Sequence, residues 1–267
     1  MPINLIQRVQ RRAKATVFDL RQRWGLAERD EVLVEQAQRF WAGTDDAKFK
    51  SNSHWRDGGV FDGNDHWSRL GREHLGIYQT FAGALPGVRA PRRVVDWGCG
   101  GGANAVHFGK LGERFYGVDI SQPSLDECAN QLTQAGIAGF VPVLVTSDDP
   151  HAALRTIDEP CDLLLCTYVF ELLPSPAYGL RLLQLFRQLL NDNGLAVIQI
   201  KYHTADVRTR ARRWAYAENL ANNTTYGIDE FWTAAKSCGF RPELIHLVPR
   251  QPMVNDGRYA FYALGAS

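Results

Sequence analysis

From Arg92 onward, short apolar runs alternate with longer amphipathic stretches, and this alternation constrains the fold more than any other feature of the chain. The runs 94–97, 115–118, 141–145, 162–167 and 195–201 have the length and the β-branched, aliphatic and aromatic content of buried strands. The segments 103–110, 124–135, 150–156 and 176–190 between them read as helices. Connections of that length let successive strands run parallel and cover both faces of the sheet with helices. A doubly wound α/β sheet follows. Asn193-Gly194 predicts a left-handed turn before the fifth strand, and 228–238 predicts a helix closed by Gly239. The last two apolar runs, 243–248 and 259–264, are separated by about ten residues, too few for a helical crossover, so they should pair antiparallel.

Composition supports a folded domain and narrows its setting. Hydrophobic residues make up 45% of the 267 and aromatics 11%, which excludes global disorder. A net charge of +1 argues against a dedicated nucleic-acid binder, whose basic excess is normally strong. No apolar run approaches the ~18 residues of a membrane span, so no transmembrane segment is expected. The start, Met1-Pro-Ile-Asn, lacks the features of a secretory leader. The cysteines Cys99, Cys128, Cys161, Cys166 and Cys238 are odd in number and widely spaced, the pattern of reduced thiols. A cytoplasmic location is the expectation.

The chain divides into a helical N-terminal extension, 1–90, and a catalytic domain, 91–267. Residues 1–24 carry Arg8, Arg11, Arg12, Lys14, Arg21 and Arg23 against Asp19, around an apolar stripe at helical spacing (Ile6, Val9, Ala13, Val17, Leu20, Trp24). Such a basic amphipathic helix suits a membrane surface, RNA or a second copy of the chain, and a homodimer through these helices is the expectation carried forward. A second helix spans 28–41. Residues 44–67 are dense in Gly and Asp yet carry Phe49, Trp55, Phe61 and Trp67, so they form a loop that folds over the domain as a lid. A helix over 65–85 then leads to Pro86 and Pro91.

The strongest chemical signal is Val94-Val-Asp-Trp-Gly-Cys-Gly-Gly-Gly-Ala-Asn104, a buried strand entering a glycine-rich turn and then a helix. Glycines let backbone approach a ligand, and Asp119, at the end of the next strand, has the position of a carboxylate that accepts both hydroxyls of a ribose. Gly98-x-Gly100-x-x-Ala103 also fits a dinucleotide fingerprint. Asp96 separates the two readings. A carboxylate beside the turn repels a pyrophosphate but complements the ammonium and sulfonium of S-adenosylmethionine.

On these residues the sequence resembles the class I S-adenosylmethionine-dependent methyltransferases, whose acid-plus-alternating-glycine motif is matched by Asp96, Gly98, Gly100 and Gly102, with Asp119 and Ile120 at the ribose position. Ser147-Asp148-Asp149 lies where that family carries an acid near the adenine, and Thr167 follows its fourth strand. Gly239-Phe240 and the terminal hairpin match its usual ending. The resemblance covers about 90–202 and 227–267, and it implies a Rossmann-like, seven-stranded, mostly parallel sheet with an antiparallel terminal hairpin, and S-adenosylmethionine as cofactor. Many members read Glu-His-Leu where this chain reads Glu171-Leu172-Leu173, so a role for that histidine is lost here.

Methyl transfer is an in-line displacement, and a hydroxyl acceptor calls for a general base. Candidates are His203 after the fifth strand, Glu171 and Tyr168 after the fourth, and His54 from the lid; His66 and His151 are weaker ones. Asp57, Asp62 and Asp65 with the lid histidines could in principle hold a divalent metal, but their spacing matches no recognised site, and no metal ligands are assigned. The segment 203–226, with Arg208, Arg210, Arg212, Arg213, Trp214 and Tyr216, is expected to overhang the acceptor and to recognise a polar or anionic group. The expected activity is O-methylation of a small molecule such as a sugar or natural product. The main alternative is methylation of RNA through the basic N-terminal helix, and small-molecule N-methylation is the second.

Overall fold

The computed structural model describes residues 9, 10, 13, 15–17, 20, 24, 27–43 and 48–266. The cations of the basic N-terminal stretch lie outside the described residues, and the expected helix-mediated dimer falls with them. The elements in order are α1 (Asp30–Ala42), α2 (Phe49–Asn52), α3 (His66–Ala84), β1 (Arg93–Trp97), α4 (Ala105–Phe108), β2 (Arg114–Asp119), α5 (Gln122–Gln134), β3 (Phe140–Leu144), β4 (Cys161–Cys166), α6 (Pro176–Leu189), β5 (Leu190–Lys201), α7 (Ile228–Ser237), β6 (Phe240–Val248) and β7 (Tyr259–Ala266).

The sheet runs β3-β2-β1-β4-β5-β7-β6, with β7 antiparallel to both of its neighbours and the other pairings parallel. Alternate residues of each strand feed two cores. On one face Val95, Trp97, Tyr116 and Ile198 pack under α6 and α7, with the Trp97 and Phe186 rings 5.1 Å apart. On the other, Val94, Phe115, Leu163 and Val197 pack under α3, α4 and α5. Helix α3, read from the sequence as part of the extension, therefore supplies Ile77, Tyr78 and Phe81 to a main core. Strand order reverses between β1 and β4, which places the ligand crevice at their carboxyl ends.

Two local expectations change. The helix after the glycine turn is a single turn, so the site has no long helix dipole to favour an anion. Gly194 does not make a left-handed turn. Strand β5 starts at Leu190 and absorbs Asn191–Gly194 through a register shift against β4.

Candidate functional site

Asp96 is 1% exposed, and neither of its carboxylate oxygens has a hydrogen-bond partner. Burial pushes its pKa up to about 7; the neighbouring Asn104 amide opposes the rise, and the charge of Asp119 adds to it. An acid stranded in this way sits just behind the cavity wall, under the glycine turn. Asp119 is half-buried in the wall and braces the turn: its two oxygens accept from the N–H groups of Gly100 and Ser121, each at 2.9 Å. Burial raises it to about 6 against those backbone bonds. Each carboxylate oxygen keeps lone-pair capacity for a further donor beyond these bonds.

The turn itself is covered from outside. Gly98, Gly100 and Gly102 take φ of +76°, +50° and +88°. At Gly100 the freedom serves a protein contact, because a Cβ there would lie 2.3 Å from the carbonyl oxygen of Ser53. Gly101 donates its N–H to that same oxygen at 2.7 Å, and a Cβ on it would meet His54 O at 2.8 Å. The aromatic loop thus closes as the expected lid, anchored by Trp67 Nε1 donating to His54 O at 2.7 Å and by Phe61, Trp67, Leu70 and Met253 beneath it.

The cavity is open at its mouth, and the space between its walls, solvent included, is about 960 Å³. Its walls come from the glycine turn, the ends of β2, β3 and β4, the lid, α1 and Tyr216. Among the described lining residues, Asp119 is the one with a formal charge at neutral pH. Apolar and aromatic groups such as Trp41, Trp97, Ile120, Val145 and Tyr178 make up much of the rest.

Several sequence-predicted residues come together here. Gly98, Gly100, Asp119, Ile120, Thr167, Tyr168 and His54 all line the cavity, whereas Asp96 and Gly102 lie behind it. The His54 ring meets Tyr168 edge-on at 4.8 Å. Burial, with nearby His74 adding to it, lowers His54 to a pKa of about 3, which leaves an imidazole that is neutral at pH 7 and a weak base at rest. Burial raises the Tyr168 hydroxyl well above its usual value.

Other candidates are placed elsewhere. Glu171 is 2% exposed and absent from the lining; burial raises it to about 7, with Lys201 opposing. It belongs to a buried group behind Tyr168 in which Lys201 pairs with Asp256 and Tyr259 donates to Asp256 at 3.1 Å. His203 does not reach the cavity; its backbone N–H pairs with Tyr226 O at 2.9 Å. His66 and His151 also lie off the lining. Asp148 is exposed and off the lining, because the chain turns Thr146 and Ser147 inward instead. Asp57, Asp62 and Asp65 are exposed, and no metal-binding cluster occurs among the described residues.

The 203–226 segment does overhang the cavity, but through Tyr216 rather than its arginines. Tyr216 accepts from Trp41 Nε1 at 2.8 Å and donates to Leu172 O at 2.7 Å. Arg213 pairs with Asp30 at the start of α1 and also donates to Pro174 O, and Arg208 pairs with Asp206 beside it. Arg213 therefore holds the cap to α1, Arg208 is engaged within the cap, and no arginine of the segment lines the cavity. Sequence reasoning missed three residues of this site. Gln38 on α1 accepts from Ser147 N at 2.7 Å, and His74 on α3 lies 2.8 Å from Asn104 Oδ1 through its Nδ1. Asn104 itself donates to Thr167 Oγ1 at 3.0 Å and lines the cavity. The signal for His74 was Gly71, one turn before it: a Cβ there would lie 1.9 Å from Ala103 O, so α3 is pressed against the motif.

Comparison with known proteins agrees with this geometry. Residues 67–244 match the methyltransferase domain family. Among curated proteins, a carboxy-S-adenosyl-L-methionine synthase of Pasteurella multocida (strain Pm70) is 30% identical over 129 residues, 46% of this chain and 51% of that protein. The chain spans about half the length of the curated relatives it matches. Among solved structures, the magnesium protoporphyrin IX methyltransferase of Synechocystis PCC 6803 with bound S-adenosylhomocysteine superposes with a TM-score of 0.58 at 15% identity, covering 89% of this chain and 100% of that one. A Leishmania major S-adenosylmethionine-dependent methyltransferase gives 0.56 at 17% identity, covering 87% and 82%. At these identities the structural likenesses establish a shared fold.

Proposed function

The chain belongs to the S-adenosylmethionine-dependent methyltransferase family, and from that premise we propose that it methylates a hydroxyl oxygen of a small, uncharged acceptor. The observation that carries the reading is the charge of the cavity: Asp119 in the wall, Asp96 stranded behind it, and no Lys or Arg among the described lining residues. That arrangement favours a cationic cofactor and gives an anionic acceptor no counter-ion. It also weighs against RNA, whose phosphates need cations, since Arg208 and Arg213 are held in ion pairs. A carboxylated sulfonium, the product that the Pasteurella relative's name denotes, would bring one more anion into the same cavity.

When bound, the cofactor supplies an electrophilic methyl carbon on a positively charged sulfur. The lid and Tyr216 hold the acceptor against it and exclude water. Bound here, it would give the methyl group to the acceptor oxygen and leave as a neutral thioether. His54 takes the hydroxyl proton. The imidazolium so formed would replace the positive charge lost with the sulfonium, which offsets part of the burial cost that keeps His54 neutral at rest. Tyr168, against the His54 ring, fixes the imidazole's orientation.

Incubation with labelled S-adenosylmethionine and panels of sugars, phenols, amines and tRNA, with and without magnesium, followed by mass spectrometry, tests this. A methyl ether of a neutral hydroxyl compound is the expected product. Methylation confined to amines or RNA, or carboxylation of the cofactor itself, would overturn the reading.

A further inference from the structure

We propose that His74 is a positioning residue of the cofactor site, fixing the Asn104 side chain so that its N–H groups, not its carbonyl, serve the carboxylate of the cofactor's amino-acid group. The inference rests on the methyltransferase reading. With no Lys or Arg among the described lining residues, a carboxylate in this cavity must be held by neutral donors. Asn104 and Thr167, joined by the 3.0 Å bond from Nδ2 to Oγ1, are side-chain donors in the wall beside the glycine turn.

An asparagine amide has two faces, and a carboxylate accepts only from one. The orientation is set from behind the wall. His74 Nδ1 lies 2.8 Å from Asn104 Oδ1, and both residues are buried, at 4% and 8% exposure. If Nδ1 carries the proton, Oδ1 is engaged and the amide N–H groups are turned to the other side, one donating to Thr167 and the other on the side of Asp96 and the cavity. The other His74 nitrogen, Nε2, is buried without a partner, on a ring packed against Tyr168 at 5.6 Å and Phe261 at 5.4 Å. Burial, with His107 from α4 adding to it and the Asn104 bond opposing, lowers His74 to about 4, so it is neutral at pH 7 and one tautomer must be chosen. The opposite tautomer would accept a hydrogen bond from the amide, turn Asn104 Oδ1 toward Thr167, and present a carbonyl to the carboxylate.

The placement is built into the helix. Gly71 lets α3 lie against Ala103 O, and His107 Nε2 meets Ser68 O at 2.9 Å, so α3 is fastened to the motif in the turns just before His74.

The test combines nitrogen-15 NMR of the imidazoles with calorimetry of S-adenosylhomocysteine and of methylthioadenosine, which shares the nucleoside and thioether but has no amino-acid group. His74 is expected to be protonated at Nδ1. His74→Leu should weaken S-adenosylhomocysteine by about tenfold or more, the scale of a lost charge-assisted hydrogen bond, and leave methylthioadenosine unchanged. His74→Gln, whose amide can still donate to Asn104 Oδ1, should restore most of the affinity. A proton on Nε2, an equal loss for both ligands in a folded His74→Leu, or no loss for either overturns the proposal. If His74→Leu does not fold, the NMR result and His74→Gln decide. Failure of the unmodified protein to bind S-adenosylhomocysteine would instead overturn the methyltransferase reading beneath it.

Discussion

Replacing Asp96 with asparagine is expected to stabilise the unliganded protein while weakening its hold on the cofactor. The carboxylate is 1% exposed, has no hydrogen-bond partner on either oxygen, and titrates at about 7 instead of 3.8. Because the folded pKa is raised, the acid is no burden below the unfolded value. The cost begins as pH rises through that value, grows until the folded pKa is reached, and is constant above it. At ~1.36 kcal/mol per pH unit, the full cost is about 4 kcal/mol near pH 8 and a little under 2 kcal/mol near pH 5. Asparagine has its own burial cost, but that cost does not vary with pH. The variant's advantage should therefore grow by about 2 to 3 kcal/mol between those conditions, or roughly 5–10 °C in melting temperature for a chain of this size. The repulsion from Asp119 is part of this cost, since its charge adds to the rise at Asp96. Scanning calorimetry at the two pH values, with titration of S-adenosylmethionine at the higher one, measures both halves. A variant no more stable at pH 8 than the parent, or an advantage independent of pH, would refute the reasoning.

Three further substitutions probe the lid and the base. His54→Asn, chosen because asparagine tolerates the left-handed φ of +51°, should lower kcat by about 10²- to 10⁴-fold in steady-state assays while S-adenosylhomocysteine affinity by calorimetry stays close to that of the parent. His203→Ala should leave kcat within about twofold, since the side chain does not line the cavity. Gly101→Ala, which places a Cβ 2.8 Å from His54 O, should oppose lid closure by about 1–3 kcal/mol, seen as a raised KM and faster proteolysis within 48–65.

What the sequence revealed follows from how local each feature is. Strand, turn and acid in 94–104 and 114–119 are set by neighbours along the chain, so Asp96, the glycines and Asp119 were legible together. The contact between Ser53 and Gly100 joins residues far apart in sequence through an irregular loop, so the sequence does not show that the lid fills the side-chain space at Gly100 and Gly101 while Gly98 and Gly100 still line the cavity. Arg213 carries no mark of its partner: Asp30, far away in the chain, decides that it braces the cap and does not face an acceptor. Asp148 failed for a smaller reason, a shift of one residue in where the chain turns after β3, which sends Ser147 inward and the carboxylate outward. His74 was hidden on an ordinary amphipathic helix; the readable trace was a glycine one turn away, whose meaning depends on the backbone pressed against it.

The central claim is that the crevice at β1 and β2 is shaped and charged for S-adenosylmethionine. Calorimetric titration of S-adenosylhomocysteine into the unmodified protein and into Asp119→Ala, each shown to be folded by thermal melting, tests it most directly. Micromolar binding to the first and none to the second is the predicted result. Tight binding of NAD with no binding of S-adenosylhomocysteine, or equal affinity in the two proteins, would contradict it.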